Sequence, residues 1–163
     1  MINNLANMLV GQSVFVQGYG FIGTTKDIEL PKVKFKQTEV NGRNIDTGLL
    51  EPIEAKIEVA EYNSVIWDAI SKRNFEDLAT FVIKKSARDR QKQKSIYVEI
   101  GAWVSEQEFG GKISEPDTIV LNLNVQTYTL EVDGATLYKI DIPNYICQIN
   151  GADKYATIRQ HIM

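Results

Sequence analysis

Between residues 28 and 60 the chain runs IELPKVKFKQTEVNGRNIDTGLLEPIEAKIEVA, and apolar and polar positions alternate in two stretches of it. Val33 and Phe35 alternate with Lys32, Lys34 and Lys36, while Ile53, Ala55, Ile57 and Val59 alternate with Glu54, Lys56 and Glu58. A period of two puts each set on its own side of a strand. The pattern predicts a large hairpin with one apolar and one charged face. Its connection, Asn41, Gly42, Arg43, Asn44, Ile45, Asp46, Thr47 and Gly48, is far longer than a hairpin turn needs, so it is expected to be a loop that contacts something.

The same period recurs along the rest of the chain. Residues 1–12 read as a short amphipathic lead with Leu5, Met8 and Leu9 apolar, followed by a strand from Ser13 to Gln17. A second hairpin is expected from Ala79 to Val104, with Ile96, Val98, Ile100, Ala102 and Val104 on one face and the basic turn 87–94 at its tip. Residues 105–116 read as a polar loop. From Thr118 to Leu130 a long strand alternates Ile119, Leu121, Leu123 and Val125 with Val120, Asn122, Asn124 and Gln126, and Asp133-Gly134 turns it tightly into Leu137–Ile142. Only two segments have helical spacing. One is 62–73, with Val65, Ile66, Ala69 and Ile70 in a stripe, Asn63 or Ser64 to cap it and Lys72 and Arg73 at its negative end. The other is the tail, where Tyr155, Ile158 and Ile162 fall on one side. The fold class that follows is mainly β: a single domain over 1–163, an antiparallel β-sandwich or barrel with one internal α-helix and a short C-terminal helix.

Composition narrows the function without supplying one. At 163 residues and 44% hydrophobic content the chain suits one domain with a substantial core. A net charge of −3 argues against a reader of DNA, and the basic turn 87–94 lacks the interleaved aromatics of a nucleic-acid platform. The lone Cys147 excludes an internal disulfide and suits a reducing compartment. The N-terminal stretch has neither the basic nor the apolar region of a signal peptide, and no run approaches the roughly eighteen apolar residues of a membrane helix, so neither export nor membrane insertion is expected.

Gly18, Gly20 and Gly23 spell a GxGxxG after a strand, but residues 24–30 are rich in β-branched side chains and Pro31 follows. No helix N-terminus is therefore offered to a pyrophosphate, and the glycines serve a tight turn. His161 suits the negative end of the last helix without a metal or catalytic role. With no nucleophile and base set, no metal-spaced His or Cys and no phosphate loop, the expectation is no catalytic residues, no metal, no cofactor and no enzyme.

Three segments carry a family resemblance: ELPKVKFKQTEVNG, EPIEAKIEVAEYNSVIWDAI and TYTLEVDGATLYKIDIPNYICQINGADKYATIRQHIM. They resemble the major tail tube protein of contractile-tailed phages. In that family an LPK strand opens the large hairpin, and a Tyr-x-Leu-x-x-Asp-Gly hairpin, an Ile-Asp strand and an Asn-Gly-x-Asp step close the chain. Here these are Tyr128, Leu130, Asp133 and Gly134, then Ile140 and Asp141, then Asn150, Gly151 and Asp153. The middle, from Phe75 to Glu115, departs most.

The resemblance implies a fold related to tail-tube and type VI secretion tube proteins. It implies a virion subunit, assembled in the host bacterial cytoplasm, that forms hexameric rings stacked into a hollow tube for DNA delivery. Its partners would be further copies of itself, a tail sheath, a baseplate or tube initiator and a tail terminator, with DNA passing transiently. The near alternative is the tube of a phage-derived particle, bacteriocin-like or type VI secretion-like. The distant one is a monomeric β-sandwich module for carbohydrate or peptide, which would need an aromatic cluster on one sheet face; Trp67 falls on the helix and Trp103 near a strand end.

A tube reading gives the polar faces a task. A channel lined by unopposed lysines would hold the polymer that it must release. Lys32, Lys34, Lys36, Glu54, Lys56 and Glu58 are therefore expected to offset one another across strands, with Asn122, Asn124 and Gln126 adding an uncharged surface, if these faces line the channel. The segment 41–48 is expected to make the contact between rings.

Overall fold

The computed structural model describes residues 8–17, 20–21, 25–60, 64–73, 77–88, 92–115 and 117–163. The alternating stretches form strands, and the order along the chain is β1 (Met8–Val16), β2 (Gly20–Phe21), β3 (Thr25–Glu29), β4 (Phe35–Val40), β5 (Arg43–Leu50), β6 (Ile53–Val59), α1 (Ser64–Ser71), β7 (Ala79–Arg88), β8 (Gln93–Gly110), β9 (Thr118–Val132), β10 (Ala135–Asp141), β11 (Ile146–Ile149), β12 (Ala152–Asp153) and α2 (Ala156–Ile162).

Strand β9 is the branch point. One edge pairs with β8 along nearly its full length, from Gly110↔Thr118 to Ile96↔Val132. Its other edge is divided: Ile119 to Val125 pair with β6, and Thr127 to Val132 pair with β10. From there β6 continues to β3, β10 continues through β11 to β12, and on the far side β8 continues through β7 and β1 to β2. Every pairing is antiparallel. Strands β4 and β5 form a separate two-stranded sheet.

One face of this branched sheet carries the apolar half of each alternation. Val14, Val16, Ile57, Val59, Phe81, Ile83, Val98, Ile100, Leu121 and Leu123 are all at most 2% exposed and belong to one cluster. Residues from opposite ends of the sheet meet there, so the sheet curls on itself with its apolar face inward, as a sandwich or barrel does. Full burial of each aliphatic or Phe side chain contributes about 1.5–3 kcal/mol, which fixes the register: a slip of one residue would turn the whole set out to water. The stripe on α1 completes the cluster with Ile66, Ala69 and Ile70. On its outer side Trp67 stacks on Phe109 with ring centroids 6.0 Å apart.

Several sequence expectations need correction. Met8 and Leu9 belong to β1 rather than to an amphipathic lead, and residues 1–7 lie outside the described residues. Residues 105–110 extend β8 instead of opening a loop, because the ladder to β9 continues past the end of the buried run. Lys72 and Arg73 stand just past Ser71, at the negative end of α1, and each also has a partner there: Lys72 pairs with Asp77 at 2.8 Å, and Arg73 Nη1 donates to the Val104 carbonyl at 2.6 Å. Asn63, the other capping candidate, and residues 89–91 of the basic turn lie outside the described residues, as do Gly18 and Gly23. Where a nucleotide site would need a helix, β3 follows β2.

Candidate functional site

The expected long loop is a paired arm. Asn41 and Gly42 have φ of 51° and 76°, both in the left-handed region, and Val40 pairs directly with Arg43. This is the two-residue turn that suits a right-twisted hairpin, for which Asn-Gly is the preferred sequence. Arg43, Asn44, Ile45, Asp46, Thr47 and Gly48 therefore lie in β5, paired with β4, and are not a loop. Gly48, at φ 71°, marks a bulge where the register shifts between Phe35 and Gln37; its amide donates to Asp46 Oδ1 at 2.8 Å, and Thr47 Oγ1 donates to the Lys36 carbonyl at 2.8 Å. Side chains from Lys36 to Thr47 are exposed on both faces, so the arm stands clear of the body with Val40, Ile45 and Leu49 between 45% and 48% exposed.

At the root of the arm Phe35, Leu50, Val33 and Leu30 pack partly buried against the core. The Leu50 amide donates to Tyr155 Oη at 2.7 Å. Tyr155 is itself buried, just before α2. Asp153 accepts from the Tyr155 amide at 3.0 Å, the Cys147 amide at 3.4 Å and Arg159 Nη2 at 2.8 Å, while Arg159 Nη1 donates to the Tyr145 carbonyl at 2.9 Å. Burial opposes the charge on Asp153, yet these bonds outweigh it and hold the carboxyl below its usual value.

The polar halves of β6 and β9 share the outward face of the sheet. Glu54 lies opposite Asn124 and Lys56 opposite Asn122, and Gln126 Nε2 donates to Asn124 Oδ1 at 3.3 Å. Neighbouring strands widen this face with groups that the sequence reading missed. Glu29 pairs with Lys56 from β3, Glu106 with Asn122 from β8, and Glu58 and Glu108 flank Val120. Glu29, Glu54 and Glu58 thus border Lys56, with Glu106 and Glu108 on the far side of β9, and the face is acidic. The alternation of Glu106 and Glu108 within SEQEF was the available signal.

The three lysines of the first run are divided. Lys32 and Lys34 lie outside any ladder and, with Glu29, Glu51, Glu54, Lys56 and Glu106, line an open cleft of about 500 Å³ floored by Ala55 and Leu123. Lys36 is on the arm. The neighbours of β6 are β3 and β9, not the 32–36 run, so Lys32 and Lys34 share the cleft with the glutamates and do not stand opposite them in cross-strand pairs.

The described residues contain no group of three or more His, Cys, Asp or Glu placed to hold a metal ion. Cys147 is fully buried, and burial with the nearby Asp153 pushes its thiol up, away from a reactive thiolate. Among the described residues no helix is long and apolar enough to cross a membrane.

The chain matches the model of a family described as phage tail tube protein FII over residues 6–162. The tail tube protein of Escherichia phage P2 is 24% identical over 161 residues, which span 92% of this chain and 93% of that one. A crystal structure of an Hcp protein superposes with a TM-score of 0.49 over 77% of this chain and 92% of that one, at 8% identity.

Proposed function

The chain belongs to the phage tail tube protein FII family, and from that premise we propose that it closes into hexameric rings and stacks into the hollow tube of a contractile tail, through which DNA passes. It is a structural tail tube protein and not an enzyme, and it is a virion component. The observation that carries the proposal is that, among the described residues, two unlike surfaces are left uncovered. The arm β4–β5 projects with Val40, Ile45 and Leu49 uncovered, and β1 from Met8 to Val14 is paired with β7 on one edge while no described strand covers the other. Met8, Leu9 and Val10 on that strand are more than half exposed.

A bare apolar edge is a liability in a monomer and a joint in an assembly. Two different joints on one chain give head-to-tail contacts, which close into rings or run on as filaments. In this reading the edge of β1 pairs with the next copy around the ring, and the arm, including 41–48, seats on the next ring. The acidic face over β3, β6, β8 and β9 lines the channel. There Glu29, Glu51, Glu54 and Glu106 offset Lys32, Lys34 and Lys56, so that few cations are left to grip phosphates. The enclosing sheath, an initiator at the baseplate and a terminator at the far end complete the partners, with assembly in the host cytoplasm.

The test is negative-stain microscopy of the concentrated protein beside a chain whose residues 39–44 are replaced by an Asn-Gly turn, which shortens the arm in register at Thr38↔Ile45. Rings and tubes are expected from the first, and folded subunits that do not stack from the second. A monodisperse monomer at high concentration overturns ring formation, and long tubes from the shortened chain overturn the role given to the arm.

A further inference from the structure

The arm is fastened to the body by apolar packing and one directional bond. Phe35, Leu50, Val33 and Leu30 press against the core, a contact that holds the root down without choosing the angle at which the arm leaves. The Leu50 amide to Tyr155 Oη bond spans 105 residues of chain and, among the described residues, is the one hydrogen bond between residues 35–50 and the rest of the molecule. A hydrogen bond at 2.7 Å prefers a narrow range of angles, so it selects a direction where packing does not.

The acceptor is itself aimed. Tyr155 is 7% exposed, and its ring belongs to the core cluster. Its backbone is pinned by Asp153, which Arg159 holds from the first turns of α2, and the Lys154 amide donates to the Cys147 carbonyl at 2.7 Å. The C-terminal segment thus forms a rigid bracket behind the phenol.

We infer that Tyr155 is a positioning residue for assembly: the bracket 145–159 sets the direction of the β4–β5 arm, and so the readiness of a subunit to seat on the next ring. This rests on reading the arm as the stacking element. A subunit whose arm samples many directions binds through the fraction that points correctly, and its apparent affinity falls by that fraction.

The experiment uses the full chain carrying Tyr155→Phe, which keeps the ring in the core and removes the acceptor. Hydrogen exchange is expected to quicken at Leu50 and along β4 and β5, with β6 and β9 amides unchanged. The critical concentration for tubes should rise roughly three- to tenfold, the scale of one lost bond, while the tubes that form keep their shape. A purely structural role for the phenol would instead loosen the body amides as well. Should the variant lower the stability of the body, Arg159→Gln carries the test, since that side chain is a third exposed and, among the described residues, acts through Asp153 and Tyr145; the same pattern at smaller size is expected.

An unchanged critical concentration with a loosened arm overturns the inference, and so does unchanged exchange at Leu50. Either result beside a shortened-arm chain that fails to stack leaves the stacking role standing, whereas tubes from the shortened chain overturn that role itself.

Discussion

The amide of Gly101 in β8 donates to Thr127 Oγ1 in β9 at 3.0 Å, at the point where β9 changes partner from β6 to β10. The β8–β9 register shifts between Gly101 and Ala102, and a Cβ on residue 101 would collide with the Thr127 hydroxyl. The bare glycine lets the two strands approach where the sheet divides. Gly101→Ala is therefore expected to destabilise the fold by about 1–3 kcal/mol, the usual cost of overpacking a filled interior. Thr127→Ala removes the colliding oxygen and leaves its Cβ at an ordinary distance, so the double variant should recover part of that loss. A denaturant-based double-mutant cycle with no coupling between the two sites would refute this account.

Tyr128 is 2% exposed and stacks on Tyr138 with centroids 5.8 Å apart. Burial, with Tyr138 adding to it, pushes its hydroxyl up to about 12. The folded chain thus holds this proton more tightly than the unfolded one. The stability it contributes is complete below about pH 10 and lost as pH rises toward about 12. Thermal midpoints should fall across that window and fall less steeply in Tyr128→Phe. Equal slopes in the two proteins would count against it.

Asp153 gives the opposite sign. Its carboxyl is held below the ordinary 3.8, so its contribution is present above about pH 4 and lost as pH falls through the lower folded value. Asp153→Asn keeps the shape and gives up the charge-assisted bond to Arg159, at a cost of about 1 kcal/mol for this partly exposed pair at neutral pH. The stability gap between the two proteins is expected to close in acid. A gap of the same size at pH 7 and well below pH 3 would show that the carboxylate charge is not what holds the bracket.

Alternation made the body legible because one face of each strand is buried. In β6 the buried positions are Ile53, Ala55, Ile57 and Val59, as the pattern requires. Alternation says nothing about partners, however. Ile28, not Val33, pairs with Ile57, since any strand with an apolar face satisfies the same period. Where a ladder leaves the core, the signal vanishes. Strand β5 is wet on both faces over Arg43–Thr47, and β8 beyond Val104 is exposed, so neither shows the alternation of a strand. The turns carried the missing information. Asn41-Gly42, Asp133-Gly134 and Asn150-Gly151 all adopt positive φ at both residues, and each ends one strand and starts another. Asn41-Gly42 signals the β4–β5 arm just as Asp133-Gly134 signals the β9–β10 hairpin. The acidic groups Glu106 and Glu108 were hidden with the end of β8, and Glu29 joined them through a pairing that no local pattern encodes.

The channel assignment makes the sharpest demand. Glu54 and Glu58 flank Lys56 on the outward face of β6, with Asn122 and Asn124 beside them on β9 and Glu106 and Glu108 beyond. Replacing Glu54 and Glu58 by lysine turns the centre of this face into three adjacent cations without touching the buried Ile53, Ala55, Ile57 and Val59. The fold and the tubes should therefore survive, while like charges along one strand cost only a few tenths of a kcal/mol to about 1 kcal/mol each. Duplex DNA passing such a wall would exchange condensed counterions for lysines, and each phosphate so neutralised steepens the dependence of log affinity on log salt by about 0.9. Repetition of the pair in every copy of a tube multiplies the effect. Assembled double-variant tubes are thus expected to retain DNA at low salt, to release it as salt rises, and to slow its passage. Wild-type tubes should show neither behaviour. Variant tubes that assemble normally and neither bind nor delay DNA at low salt would remove this face from the channel and leave the sheath or a neighbouring subunit as what it meets.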